Sequence, residues 1–242
     1  MSRIWIAALA AALALGCLPA WADEPMTMPP MVESGIFAHA WFDQFEGRLG
    51  GDASFRWDGQ AWLGTDRDKL WLKSEAIARG DGRVEDGDHE LLYDRAITTY
   101  FDLQAGLRSD LDSRSGRNWA ALGVQGLAPL FFDIAATGYV SGAGHLAARL
   151  QASYDLPITQ RVILQPQAEL NLYSKADPAR QVGAGIADID TGLRLRYEIE
   201  RKFAPYLGIA YRGSFGQTAD LARTAGESSG EARLVLGIRW WL

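Results

Sequence analysis

The feature that most constrains the fold of this chain is a strict alternation of apolar and polar residues along short segments. In residues 101–110 every second residue from Phe101 to Leu107 is apolar, and the intervening positions carry Asp, Gln, Gly and Arg. A period of two residues is that of a β-strand with two different faces, and it excludes an amphipathic helix. The same alternation recurs in four more segments, at 146–156, 162–173, 187–198 and 231–242.

The polar faces of these strands favour a membrane barrel over a soluble β-sandwich. They repeatedly carry long charged and amide side chains, and short links alternate with long ones, the longest at 174–186 and 215–230. A solvated sandwich face would alternate in the same way. However, the last segment is amphipathic up to the end of the sequence, as in chains recognised by the bacterial barrel-assembly machinery. The final residue of such chains is usually aromatic, whereas here it is Leu242. The sequence therefore predicts an all-β fold, an antiparallel transmembrane β-barrel of about twelve strands with porin-like architecture.

Residues 1–22 have the features of a secretory signal peptide. A short basic start at Arg3 is followed by an apolar run to Leu18, and the sequence Ala-Trp-Ala ending at Ala22 fits a cleavage site. Cys17 leaves a lipoprotein signal as a weaker alternative, and a membrane-anchor helix is disfavoured because the apolar run is short. Cleavage after Ala22 leaves an exported chain without cysteine, which has no disulfide and no thiolate chemistry.

We expect three regions, namely the signal peptide at 1–22, a flexible Met/Pro leader at 23–34 and the barrel at 35–242. The leader contains three prolines and has no periodicity. An even number of strands places both chain ends on one side, which the export signal makes the periplasmic side. The strands are predicted near 36–48, 54–63, 68–79, 88–98, 100–111, 117–127, 131–141, 146–156, 161–173, 187–198, 203–214 and 231–242.

Aromatic residues cluster near the predicted periplasmic links. In outer-membrane barrels such residues form girdles at the membrane interfaces. The expected members of the girdle are Tyr100, Phe101, Phe131, Phe132, Phe203, Tyr206, Trp240 and Trp241.

The charged residues argue against nucleic-acid binding and favour a confined charge network. The net charge is −6 and the chain has no Lys/Arg cluster. Of the 24 basic residues, 20 are Arg, whose planar guanidinium pairs well with carboxylates and stays charged when crowded. We expect these side chains to share the barrel lumen.

The charged lumen allows two interpretations. The charges could pair across the interior and plug the barrel, or they could line a narrow polar conduit whose carboxylates attract cations. The candidate cation-facing residues are Asp43, Glu46, Asp102, Glu169, Asp188 and Asp190.

Catalytic motifs are sparse in this sequence. His89-Glu90 begins like a zinc-protease helix, but Tyr93 stands where the second His belongs, and the segment has a strand pattern. The chain has no G-x-S-x-G motif, and the glycines around 183–185 lack the pattern of a dinucleotide site. We therefore expect no catalytic residues and no enzymatic activity. A His and a Ser adjacent on the outward face near the outer rim would instead favour an outer-membrane hydrolase.

Three methionines suggest a soft-metal site in the leader. Beyond the initiator, the chain's methionines are Met26, Met28 and Met31, all in the leader, with His39 nearby. Thioether sulfur is a soft ligand that suits Cu(I). Chance occurrence in a short tail is the alternative explanation. The predicted metal ligands are Met26, Met28, Met31 and His39.

Several long runs resemble the copper resistance protein B family. They include WDGQAWLGTDRDKLWLKSE at 57–75, LYDRAITTYFDLQAGLRSD at 92–110 and ARLQASYDLPITQRVILQPQAELNLY at 148–173. The resemblance spans about residues 40–242. It implies an outer-membrane barrel for copper resistance and homeostasis, with copper, Cu(I) or Cu(II), as ligand or transported ion. Many members carry a longer leader rich in Met and His, so the short leader of this chain puts high-capacity sequestration in doubt.

The resemblance also implies where the protein acts and with what. We expect it in the bacterial outer membrane, with both termini periplasmic and lipid and copper ions as partners, and without nucleic acid. Members are encoded with a periplasmic multicopper oxidase, so a structural barrel that docks this oxidase is an alternative to copper binding and passage.

Overall fold

The computed structural model describes residues 35–51, 53–112, 116–200 and 202–242. Within these residues the chain forms twelve long β-strands. They are β1 (Phe37–Leu49), β2 (Ser54–Gly64), β3 (Asp68–Arg79), β4 (Val84–Ala96), β5 (Phe101–Asp110), β6 (Arg117–Ala128), β7 (Phe132–Ser141), β8 (Leu146–Tyr154), β9 (Val162–Tyr173), β10 (Gly185–Tyr197), β11 (Phe203–Ser214) and β12 (Gly230–Trp241).

The strands form one closed antiparallel barrel. Each strand pairs with its neighbours along the chain, and a two-residue stretch after β8, Leu156–Pro157, also pairs with β9. Strand β1 closes the barrel on β12, where Trp41 lies opposite Trp241 and Leu49 lies opposite Leu234. Closure leaves no free sheet edge, which a strand-built membrane protein requires. The predicted twelve-stranded barrel is confirmed.

The barrel is polar inside and apolar outside. In β5 the side chain of Leu107 points outward and is 65% exposed, whereas the adjacent Arg108 points into the lumen and is 5% exposed. A soluble protein would bury the leucine and expose the arginine. The predicted alternation of faces is thus confirmed, and its polarity is that of an outer-membrane barrel. Exposed outward leucines occur around the wall, among them Leu72, Leu91, Leu122, Leu150, Leu193, Leu207 and Leu236.

The two ends of the barrel differ. At the end where β1 begins and β12 finishes, here called the terminal end, exposed aromatic residues include Tyr100, Phe131 and Phe132. The girdle prediction is wrong for Tyr206, which is 6% exposed and faces the lumen, where it donates a hydrogen bond to Glu46. Tyr206 shares its strand face with lumen residues, which proximity to a link does not reveal.

The opposite end, here called the loop end, carries a helix that the sequence did not predict. Helix α1 (Gly216–Thr224) lies in the link between β11 and β12, within the predicted long loop. Thr218 Oγ1 accepts a hydrogen bond from the Gly183 backbone N–H at 2.8 Å. A Cβ at Gly183 would come within 2.5 Å of the Thr218 nitrogen, so this close approach requires glycine. Helix α1 is therefore fixed to the link that precedes β10.

The predicted signal peptide at 1–22 and leader at 23–34 lie outside the described residues. None of the helices in the described part of the chain is long and apolar enough to span a membrane.

Candidate functional site: a charged lumen in two cavities

The lumen contains two cavities with a layer of charged side chains between them. The outer cavity, about 660 Å³, lies toward the loop end and is bounded in part by Arg180 and Thr218. The inner cavity, about 390 Å³, lies toward the terminal end. Only Arg56 and Glu169 line both cavities. This layer, together with the charges paired to it, is called the septum here, and most of its members also line the outer cavity. It consists of Arg48, Arg56, Arg108, Arg149 and Arg194 with Glu46, Glu75, Asp88, Asp110, Glu169 and Asp190.

Arg56 joins three strands at the centre of the septum. Its Nη1 lies 2.8 Å from Asp190 Oδ2, and its Nη2 lies 3.4 Å from Glu169 Oε2 and also pairs with Glu75. The Arg56 side chain is only 4% exposed. A buried guanidinium is tolerated when its charge is matched in this way, and here the Nη groups are paired while Nε has no hydrogen-bond partner among the described residues. Arg56 therefore acts as the hub of the layer.

Arg149 and Arg108 continue the septum across the lumen. Arg149 pairs with Asp88 and lies 3.6 Å from Glu75 and 3.5 Å from Glu169. Arg108 bridges Asp88 at 2.7 Å and Asp110 at 2.8 Å. These contacts make one continuous sequence of alternating charges from Arg56 to the opposite wall.

The other side of the septum is anchored on Glu46, whose side chain is fully buried. The Arg194 guanidinium donates two hydrogen bonds of 2.8 Å to the Glu46 carboxylate, a fork geometry specific to arginine. Arg48 lies 2.9 Å from Glu46 and 2.8 Å from Asp190, which links this pair to Arg56. The arginine bias of the sequence thus corresponds to a network of paired charges.

The inner cavity has a different chemistry from the septum. Arg239 pairs with Asp43 at 3.0 Å and lies 3.6 Å from Asp155, while Lys69 lies 3.2 Å from Asp102. Excess carboxylate and amide oxygen makes this cavity more attractive to cations than to anions. Its polar lining includes Asp43, Asp58, Asp102, Asp133, Asp155, Gln44, Gln60, Gln125, Gln151, Gln165 and Gln167, with Lys73 and Arg239.

The predicted cation-facing carboxylates share the lumen but lie at three levels. Glu46, Glu169 and Asp190 belong to the septum. Asp43 and Asp102 line the inner cavity, whereas Asp188 lines the outer cavity and accepts a hydrogen bond of 3.0 Å from Asn171. Among the described residues no three His, Cys, Asp or Glu side chains are grouped as a metal site would require. Their role toward cations stays a prediction.

A β-bulge explains how Asp43 and Glu46, three residues apart, both face the lumen. The pairing of β1 with β2 shifts between Phe42 and Gln44, which reverses the phase of the strand. Trp41 and Asp43 are therefore on the same face as Glu46 and Arg48.

Several septum residues were not predicted, among them those of β2 and β4, whose faces were not assigned from the sequence. In β4 the residues Asp88, Glu90 and Asp94 are buried and alternate with the exposed Leu91 and Tyr93. This alternation is visible in the sequence and would have identified them. The other septum residues that were not predicted to lie in the lumen are Arg48, Arg56 and Asp110.

His39 lies in β1 near the terminal end, on the same strand face as Trp41. Its ring centroid is 5.2 Å from that of Trp41 and 6.3 Å from that of Trp62. The other predicted ligands, Met26, Met28 and Met31, lie outside the described residues.

The outward face carries the juxtaposition that a hydrolase would need, but not its hydrogen bond. His89 lies opposite Ser74 on β3 and opposite Ser109 on β5. Ser109 Oγ pairs with Asn118 Oδ1 at 2.8 Å, and Ser74 Oγ accepts a hydrogen bond from Trp57. Within the described residues neither Ser74 nor Ser109 is hydrogen-bonded to His89, so this juxtaposition lacks the contact between nucleophile and base.

A closed barrel with an apolar exterior and a charged interior defines the class of porin-like outer-membrane barrels. The solved structure of the NanC porin superimposes with a TM-score of 0.53, covers 84% of this chain and 99% of its own, and is 12% identical in sequence. This likeness concerns the fold alone.

Within this class the sequence comparisons identify the family. Residues 36–242 match the family described as copper resistance protein B precursor (CopB). The chain is 44% identical over 188 residues to copper resistance protein B of Escherichia coli, covering 78% of this chain and 63% of that relative. It is 42% identical over 210 residues to the homolog of Pseudomonas syringae pv. tomato, covering 86% and 71%. The chain belongs to the copper resistance protein B family, and it spans less than two thirds of the length of the first relative.

Proposed function

We propose that this protein serves copper resistance in the bacterial outer membrane, where it binds copper ions and assists their handling or passage. The observation that carries the proposal is that the family match covers the whole described barrel, residues 36–242. The apolar exterior supports a membrane location, and the export signal supports periplasmic termini.

The proposed copper site combines the leader with the first strand. Met26, Met28 and Met31 supply soft thioethers, and His39 supplies an imidazole, which together suit Cu(I). Met31 precedes His39 by eight residues, and this length of chain reaches up to about 28 Å when extended.

The lumen adds a second part to the proposal. Its inner cavity concentrates carboxylate and amide oxygens at the terminal end, which favours cations near the copper site. Beyond this cavity the septum charges are paired, so an ion that crosses the barrel must first separate ion pairs such as Arg56–Asp190.

The test is the copper stoichiometry and affinity of the refolded protein in detergent, with and without residues 23–34. Replacing the three leader methionines by Leu should weaken Cu(I) binding and leave folding intact. Groups that only orient a ligand are worth roughly 10- to 100-fold in metal affinity, so losing the ligands should cost at least as much. His39→Ala should also weaken Cu(I) binding. Its matched control is His145→Ala, which lies at the loop end. Unchanged affinity in the methionine variant would move the site into the barrel.

The septum favours one alternative function. A lumen filled by paired charges suits a barrel that docks a periplasmic multicopper oxidase rather than one that moves ions. Absence of copper binding both with and without the leader would favour this docking function over the first proposal.

A further inference from the structure

Four aromatic rings cluster on β1, β2 and β3 near the terminal end of the lumen. They belong to His39, Trp41, Trp62 and Trp71 and are called the indole pocket here. The Trp41 ring packs edge-on against Trp71 at 5.6 Å, and the Trp62 ring lies 6.4 Å from Trp71. The His39 imidazole therefore lies beside the indole rings of Trp41 and Trp62, and the Trp71 ring packs against both of these indoles.

The indoles are held in place by their N–H groups. Trp41 Nε1 donates to Asp43 Oδ2 at 2.7 Å, and Trp71 Nε1 donates to Gln60 Oε1 at 3.1 Å. Fixed rings keep their π faces in fixed directions. In the described part of the chain the His39 imidazole makes no hydrogen bond, which leaves its ring nitrogens available to a ligand.

Two lysine ammonium groups lie near the indole rings of the pocket. The Lys69 ammonium lies 5.9 Å from the ring centroid of Trp62, and the Lys73 ammonium lies 5.8 Å from that of Trp71. Tryptophan is the side chain whose ring binds cations most strongly. The Asp43 carboxylate accepts the Trp41 indole N–H and is also paired with Arg239. The surroundings of His39 are therefore rich in π faces.

We propose that the indole pocket makes His39 a Cu(I)-selective site, in which the imidazole ligates the ion and the faces of Trp41 and Trp62 stabilise its charge. The inference rests on the proposed copper function and specifies the oxidation state. Cu(I) accepts soft, low-coordinate surroundings, whereas Cu(II) prefers square-planar nitrogen and oxygen ligands, which the pocket does not supply.

The test compares Trp62→Leu with Trp62→Phe in the full chain, using Cu(I) and its redox-inert mimic Ag(I) as probes. Trp62 is chosen because Trp41 also hydrogen-bonds Asp43. Loss of the ring in the Leu variant should lower Cu(I) affinity roughly 3- to 30-fold, and Phe should restore part of it. Trp57→Leu, in the same strand but on the outward face, is the matched control. Cu(II) affinity should be equal in all four proteins.

A spectroscopic signature separates a binding role from a packing role. Addition of Ag(I) should perturb the near-ultraviolet indole absorption of the native protein, and His39→Ala should abolish this perturbation. If the native protein binds Cu(I) but Trp62→Leu binds it equally well, the indole proposal is wrong and the copper function stands. If the native protein binds no copper at all, both the proposed copper function and the indole proposal are wrong.

Discussion

At the scale of single residues, Arg56 gives the sharpest test of the septum. Arg56→Met leaves Glu75, Glu169 and Asp190 buried with one guanidinium fewer. Breaking a buried ion pair in this way costs about 3–5 kcal/mol, so the free energy of unfolding in urea should fall by this amount. The control is Arg223→Met. Arg223 pairs with Asp220 on the surface and its side chain is 61% exposed, so this change should alter the free energy of unfolding by less than about 0.5 kcal/mol.

A double-mutant cycle makes the Arg56 prediction specific. Adding Asp190→Asn to Arg56→Met removes one of the carboxylates that the first change left with one guanidinium fewer. The two changes should therefore cost less together than the sum of their separate effects, because contacting residues are coupled. Simple additivity would mean that Arg56 stabilises the barrel through packing and not through its charge.

Single residues also show what the sequence could and could not predict about the site. The alternation around Leu107 and Arg108 gave the correct face for each without any tertiary information. The ion-pair partners of the lumen residues could not be predicted in this way. Arg56 and Asp190 are 134 residues apart in the sequence, and Arg194 and Glu46 are 148 apart. Pairing over such separations depends on barrel closure and strand register, which a period of two does not encode.

At the scale of elements, helix α1 should depend on one side-chain acceptor. Thr218→Val removes the oxygen that accepts the Gly183 N–H and leaves a buried donor without a partner, which costs about 1–3 kcal/mol locally. Amide hydrogen exchange at Gly183 should then accelerate roughly 5- to 150-fold. Thr218→Ser keeps the hydroxyl and should retain the native protection.

The matched control for Thr218 lies in the same helix. Thr224 Oγ1 bonds the Asp220 carbonyl oxygen on the exposed side, and Thr224→Val should leave exchange at Gly183 unchanged. Equal acceleration in both valine variants would mean that the helix is held by its general stability and not by the Thr218 contact.

Elements were predicted well where the alternation was regular and poorly where it was interrupted. The predicted β3 and β11 have the observed bounds, but β4 begins at Val84 rather than at 88. Its first residues pair with β3 across a register shift, and Asp86 has a positive φ of 48°. A bulge of this kind breaks the period of two, so periodicity alone starts the strand too late. Helix α1 was missed because a nine-residue helix in a polar link has no comparable signal.

For the whole molecule, the septum predicts how the barrel behaves toward ions. The two cavities have only Arg56 and Glu169 as common lining residues, and the septum charges are paired, so the native protein should show very low conductance in a planar bilayer. Arg56→Ala combined with Arg149→Ala removes two bridging guanidiniums and leaves Glu75 and Glu169 without either of them. The variant should therefore conduct more than the native barrel and should prefer cations, because carboxylates then dominate both the septum and the inner cavity.

The control for conductance is Arg223→Ala together with Arg83→Ala, two exposed pairs outside the septum. This variant should match the native barrel, since its charges do not lie between the cavities. A large, steady native conductance would show that the septum opens in a lipid membrane, and it would favour ion passage over docking. If the native barrel is closed and the septum variant conducts, the barrier lies at the ion pairs that Arg56 and Arg149 make with Glu75 and Glu169. Under the proposed function, copper would then cross only if binding, or a partner, supplied the free energy to separate those pairs.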